Sequence, residues 1–117
     1  MKNILIVVSD TQLLDDLSDC CRNEGFTPHG LTEGSYVLPW IGERGPTAII
    51  LDTRADGVDT ATLCRGITAS SSTQVFVLTQ SDSETDQLKT ESLGAKAFFS
   101  KPLKAVAVFS QIKSLLS

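Results

Sequence analysis

Three short runs in this chain are apolar almost without interruption: residues 3 to 8 ("NILIVV"), 47 to 52 ("TAIILD") and 74 to 79 ("QVFVLT"). A strand with one wet face alternates apolar and polar residues. A run that does not alternate must be covered on both faces, as in a parallel sheet sandwiched between helices. A weaker run, "FTPH" at 26 to 29, contains Pro28, which has no N–H to give to a ladder and so predicts a strand at the sheet edge. The last candidate strand is "KAFFS" at 96 to 100.

Helical patterns lie between the runs. Leu13, Leu14, Leu17, Cys20 and Cys21 form one stripe, and Gly25 after "RNE" marks the stop of that helix. Pro39 inside "YVLPWIG" predicts a second helix that is kinked or short. Leu63, Cys64 and Ile67 outline a third. "SETDQLKTESL" is polar apart from Leu88 and Leu93 and predicts a lightly packed fourth helix, capped by Ser81 or Ser83. Ala105, Val108, Phe109, Ile112, Leu115 and Leu116 predict a buried stripe on a C-terminal helix. Five strands alternating with five helices define an α/β fold, a parallel sheet with right-handed crossovers and helices on both faces. In such sheets ligands and chemistry gather beyond the carboxyl ends of the strands, where Val8, Ser9, Asp10, Asp52, Thr79 and Lys101 fall.

A length of 117 residues suits one domain, residues 1–117, with no repeat or linker to divide it. Hydrophobic residues at 41% and charged residues at 21% exclude a disordered chain. The net charge of -4, with no Lys/Arg cluster, argues against direct nucleic-acid binding. The first apolar run is too short for a secretory signal or for the ~20 residues of a membrane span, so the expected location is cytoplasmic, with no membrane partner. Cys20 and Cys21 are adjacent, Cys64 stands alone, and His29 is the single histidine. That spacing predicts buried free thiols rather than a zinc site or disulfides. Trp40 reads as packing, and neither Tyr36 nor His29 carries a functional reading.

The strand-end residues, taken in order, resemble the receiver domain of two-component response regulators over residues 2 to 117. "IILD" followed by "TRADGVD" resembles the segment that ends in the phosphoacceptor, placing Asp52 in that role. "VFVLT" resembles the strand whose last hydroxyl contacts the phosphoryl group, here Thr79. "GAKAFFSKP" resembles the segment with the site lysine, Lys101, followed by Pro102, and with an aromatic switch residue, Phe98. The resemblance implies a flavodoxin-like fold with strand order 2-1-3-4-5. It implies a signalling domain rather than an enzyme, and a histidine kinase or phosphotransfer protein as donor. A downstream protein or a fused output domain would receive the signal. It also implies Mg²⁺, held by acids at the end of the first strand, by Asp52 and by the backbone carbonyl of Arg54. A carboxylate attacks phosphorus poorly unless positive charge offsets the gathering oxygens, so these groups work as a set.

The first strand departs from that pattern. Where a receiver usually reads "ILIVDDD", this chain reads "ILIVVSD". The acidic pair falls on Val8 and Ser9, and only Asp10 remains acidic. Asp10 has two readings, a weak Mg²⁺ ligand with Asp52 or the cap of the first helix. Val8 sets methyl groups where an ion's water shell would sit. Gln80 narrows the approach to Asp52, Asp56 adds negative charge near it, and Leu103 replaces a frequent Phe. Asp52 itself reads either as phosphoacceptor or as an ion-pair partner of Lys101 that locks the loops.

Leu103 and Val106, continued by Ser110 and Lys113, form a line outside the buried stripe of the last helix. In receivers the face made by the fourth helix, fifth strand and last helix commonly binds partners or a second copy, so the line is a candidate partner or homodimer face. Three functions compete. The first is an atypical receiver acting through protein contacts, with phosphorylation impaired or metal-independent. The second is an Mg²⁺-dependent phosphoacceptor in which Asp10 substitutes for the pair. The third is a flavodoxin-like small-ligand module, although "VVSDTQ" offers no glycine for a phosphate loop.

Overall fold

The computed structural model describes residues 2–32, 37–52, 60–70, 72–79, 97–100 and 104–116. Five strands, β1 (Asn3–Val7), β2 (Thr27–Leu31), β3 (Ala48–Asp52), β4 (Gln74–Thr79) and β5 (Ala97–Ser100), form one sheet in the order β2-β1-β3-β4-β5. Every neighbouring pair is parallel. The described helices are α1 (Thr11–Asn23), α2 (Val37–Arg44), α3 (Thr60–Ser70) and α4 (Ala105–Leu116). The helix expected over "SETDQLKTESL" lies outside the described residues.

The unbroken apolar runs are explained by two cores, one on each face of the sheet. Ile4, Ile6 and Val8, Ala48 and Ile50, and Phe76 and Leu78 face Leu17 and Cys21 of α1 and Ala105, Val108, Phe109 and Ile112 of α4. The alternate residues Leu5 and Val7, Ile49 and Leu51, and Val75 and Val77 face Val37, Trp40 and Ile41 of α2 and Leu63, Cys64 and Ile67 of α3. Each fully buried aliphatic or aromatic side chain contributes about 1.5–3 kcal/mol relative to exposure. A polar residue at any of these strand positions would therefore weaken one core or the other.

Pro28 sits on the edge strand, as its missing donor requires. The Thr27 N–H donates to the Lys2 carbonyl at 2.9 Å, so alternation turns the nitrogen of Pro28 to the open side of the sheet, where no ladder bond is lost.

Helix α1 has defined stops at both ends. The Asp10 side chain caps it, Oδ1 accepting the N–H groups of Gln12 at 3.0 Å and Leu13 at 3.3 Å. At the other end Gly25 has φ +84. There the Phe26 N–H donates to the Cys21 carbonyl at 2.9 Å and the Gly25 N–H to the Arg22 carbonyl at 3.1 Å. That double closure is the Schellman motif, and it needs a residue tolerant of left-handed backbone. Phe26 then meets Phe109 of α4 edge to face, with ring centroids 5.7 Å apart.

Helix α2 begins two residues before Pro39, so the ring falls in the first turn, where N–H groups have no intrahelical acceptor. Trp40 is buried in the α2/α3 core, with His29 against its ring at 5.0 Å and the Arg44 guanidinium 5.5 Å from its centroid. Two sequence expectations need correction. Leu115 does not belong to the buried stripe of α4 but is exposed, because ten residues after Ala105 a helix has turned about 80° away from that line. Cys20 is only half-buried, whereas Cys21 and Cys64 are buried, and all three thiols are free. Among the described residues no helix is long and apolar enough to cross a membrane.

Candidate functional site

The carboxyl edge of the sheet gathers the residues singled out from the sequence. The ladder between β1 and β3 ends with Val7 opposite Leu51, and one step further Val8 comes opposite Asp52. Val8 is still tied to the sheet, its N–H donating to the Leu31 carbonyl at 3.0 Å. On the other side Asp52 pairs with Leu78 of β4. Asp52, Val8 and Leu78 are each 0% exposed. A carboxylate therefore ends β3 inside the protein, between two apolar neighbours, on the face that carries the α1/α4 core.

Thr79 closes β4 opposite Ser100, the last residue of β5, and Phe98 pairs with Val77 one layer below. The backbone thus brings the ends of β1, β3 and β4 to one edge. Lys101 is the next residue after Ser100 in the chain. Lys101, Pro102 and Leu103 lie outside the described residues, as do Arg54, Asp56 and Gln80.

Val8 keeps its expected place in the buried run of residues 3 to 8 but not its expected place beside an ion's water shell. Its side chain does not line a water-filled ion site but belongs to the core with Ile6, Leu17 and Leu78. The period-two pattern of Ile4, Ile6 and Val8 was the available signal. Ser9 and Asp10 are exposed, and the Asp10 carboxylate is engaged at the start of α1.

Among the described residues, the donors at the end of β1 fit a divalent cation poorly. Mg²⁺ prefers near-octahedral oxygen ligands and is usually held by one or two carboxylates. Here the residues at the end of β1 are a core valine, a serine and a carboxylate already capping a helix. Among the described residues no group of three or more His, Cys, Asp or Glu side chains could hold a metal ion.

The cysteines make no second site. Burial pushes the Cys21 thiol up to about 12, with Cys20 adding to the rise and Arg22 opposing it. Cys20 is raised by burial and then by Asp16, Asp19 and Glu24, and Cys64 by burial. None is poised as a thiolate nucleophile.

Part of the expected partner line falls on the described residues of α4. Val106 is 74% exposed, but with Ser110 and Lys113 it borders a cleft whose other wall is Cys20, Asn23 and Glu24 at the end of α1. Lys113 makes an ion pair with Glu24 across that seam. The described part of the line therefore follows the flank of α4 next to α1. Helical periodicity told which side of α4 leaves the core, but not which neighbour borders it.

Comparison with known proteins agrees with this geometry. The response regulator receiver domain model matches residues 4–113. The chain is 31% identical over 116 residues to the sensory transduction protein RegX3 of Mycobacterium tuberculosis, covering 99% of this chain and 51% of that protein. It is 32% identical over 113 residues to the transcriptional regulatory protein BaeR of Escherichia coli, covering 97% and 47%. The chain spans about half the length of the curated relatives it matches. Among solved structures it is similar to HP1043, an orphan response regulator of H. pylori (TM-score 0.90, 14% identity, covering 99% of this chain and 97% of that one). It is also similar to DrrB, an OmpR/PhoB homologue from Thermotoga maritima (TM-score 0.89, 23% identity, covering 99% and 52%). At these identities the structural likeness speaks for the fold.

Proposed function

The chain belongs to the response regulator receiver domain family, the signalling domain of two-component systems, and from that membership we propose that it is an atypical receiver. In this reading it is a single receiver domain over residues 1–117. It signals through protein contacts, and phosphorylation at Asp52 is impaired or proceeds without a metal. Asp52, Thr79 and Lys101 form the remnant of the acceptor site, with Phe98 as the switch residue. One observation carries the proposal: the residue beside Asp52 is Val8, fully buried in the core, where the family pattern has an acid.

The consequence is electrostatic. A unit-charge pair at ~4 Å is worth roughly 4 kcal/mol at an effective dielectric near 20. Even a third of that is about tenfold in cation affinity for each missing carboxylate. Asp10 would have to leave the helix cap to replace one of them. Any Mg²⁺ site built from Asp10, Asp52 and the Arg54 carbonyl would therefore be weak.

Partners follow from the same reading. A histidine kinase or phosphotransfer protein meets the site. A downstream protein or an output domain receives the signal, as the names of the longer relatives, "transcriptional regulatory protein" and "DNA-binding response regulator", suggest for such an output. The contact face includes the exposed Val106, and Leu103 extends it. Charged residues at both positions are expected to abolish partner or homodimer binding, and unchanged binding would remove that face from the reading.

The deciding experiment is intact mass after incubation with acetyl phosphate, with and without Mg²⁺, beside Asp52→Asn. The expected result is no adduct, or a slow adduct indifferent to Mg²⁺ and absent from the variant. Rapid Mg²⁺-dependent labelling that Asp52→Asn abolishes would instead establish a working phosphoacceptor with a rebuilt cation site.

A further inference from the structure

We propose that residue 8 makes the stability of this receiver's fold independent of divalent cations: Val8 holds the end of β1 by packing, where an acid beside Asp52 would be steadied by a bound cation. The inference rests on the assignment of Val8 and Ser9 to the acid-pair positions. It adds a property of the fold, separate from whether Asp52 accepts a phosphoryl group.

The geometry supports it in three steps. Val8 and Asp52 share a face of the sheet at the ends of adjacent strands, one step past the pair Val7 and Leu51. Adjacent strands lie about 4.8 Å apart, so two carboxylates there would repel in a site shielded from water, and a bound cation, like a lysine or a proton held by one of them, would relieve the repulsion. Val8 removes one of the two charges.

Val8 also adds to the core. Its side chain is fully buried with Ile6, Leu17, Phe76 and Leu78, and its N–H is bonded to the Leu31 carbonyl at 3.0 Å. The strand end is thus fixed from both sides without an ion. The nearby acid that remains, Asp10, is satisfied by two backbone N–H groups of α1. Side chain, backbone and the neighbouring carboxylate are thus held by packing, by the ladder and by the helix cap.

Thermal unfolding in EDTA and in 10 mM MgCl₂ tests the inference on the intact chain. Mg²⁺ at a hundredfold over its Kd would raise the Tm by on the order of 10 °C. For the native chain the expected change is under about 1 °C on that same scale. A second variant, Ser9→Asp, alters an exposed position and should fold normally, with the same indifference to Mg²⁺. Val8→Asp combined with Ser9→Asp is expected to lose stability in EDTA and to regain several degrees in Mg²⁺.

A clear Mg²⁺-dependent rise in the native chain would overturn the proposal. So would a comparable rise in Ser9→Asp alone, because the determinant would then be residue 9. A double variant that ignores Mg²⁺, or that stays unfolded in its presence, would also overturn it. The two readings fail separately. Rapid Mg²⁺-dependent labelling at Asp52 without any Mg²⁺ effect on Tm sinks the atypical reading alone, and an Mg²⁺ effect on Tm without labelling sinks cation independence alone.

Discussion

At the carboxyl edge of the sheet β1 and β3 end side by side, and the side chains there, Val8 just past β1 and Asp52 closing β3, are completely buried. They face the same core from adjacent strands, yet one is an aliphatic side chain continuous with that core and the other is a carboxylate at its rim. The two positions differ in what burial costs them. For Val8 burial is the favourable term. For Asp52 burial is a cost that the folded site must offset with partners. The difference teaches that depth alone does not identify a working site: the neighbour that decides the chemistry of Asp52 is itself ordinary core.

Exchanging the two kinds of residue gives the largest expected effect. Val8→Asp places a charge inside the α1/α4 core without a designed partner and should destabilise the chain by about 3–5 kcal/mol, read from urea unfolding. Asp52→Asn keeps shape and hydrogen-bonding capacity and should cost only about 1–2 kcal/mol. Equal costs would break the asymmetry between the two strand ends. Urea titrations at low and high salt would then separate a packing loss from an electrostatic one.

The dryness of the core beneath Val8 can be read through Cys21, which belongs to the same cluster. Its thiol is held up to about 12 against an ordinary value of 9.0. Below pH 9 the thiol is protonated in both folded and unfolded chains, so it contributes no pH dependence. Between pH 9 and 12 the unfolded chain gives up its proton first, and stability falls as pH rises, by up to about 1.4 kcal/mol per pH unit. The alkaline limb of native stability should be steeper than that of Cys21→Ala. Parallel limbs would mean that water reaches this part of the core.

How far the sequence reached follows the same division between local and neighbour-dependent physics. Pro28 announced an edge strand because a missing donor is a local fact, and Gly25 announced the end of α1 for the same reason. The unbroken apolar runs announced burial on both faces, which includes Asp52 at the end of one of them. Val8 was legible both as a missing acid and as the last residue of a buried run, whereas its packing against Leu17 and Leu78 depends on how α1 and β4 stack around it. Leu115 shows the limit of a stripe drawn by counting. Val106 and Lys113 show a further limit: periodicity separates the wet side of a helix from the dry one, while the seam with α1 depends on how the crossovers stack the helices.

Asp10 provides the finest test of the comparison, because it is the acid that remains just past the end of β1. As a cap, its loss in Asp10→Ala should cost about 1 kcal/mol, the ordinary value of a side chain that satisfies N–H groups in the first turn of a helix. Asp10→Asn should cost only about 0.3 kcal/mol or slightly more, since Asn caps nearly as well and gives up little beyond the favourable charge at the helix N-terminus. The pair of variants separates two roles that the exposed carboxylate could serve. A cap tolerates a neutral amide; a cation ligand does not, because the amide lacks the charge that holds Mg²⁺. Asp10→Asn that keeps its stability and leaves the acetyl phosphate reaction unaltered in Mg²⁺ assigns Asp10 to α1 alone. Loss of an Mg²⁺-dependent adduct in a variant of unchanged stability would instead give Asp52 an acidic partner after all, and the contrast between the two strand ends would narrow to a single residue.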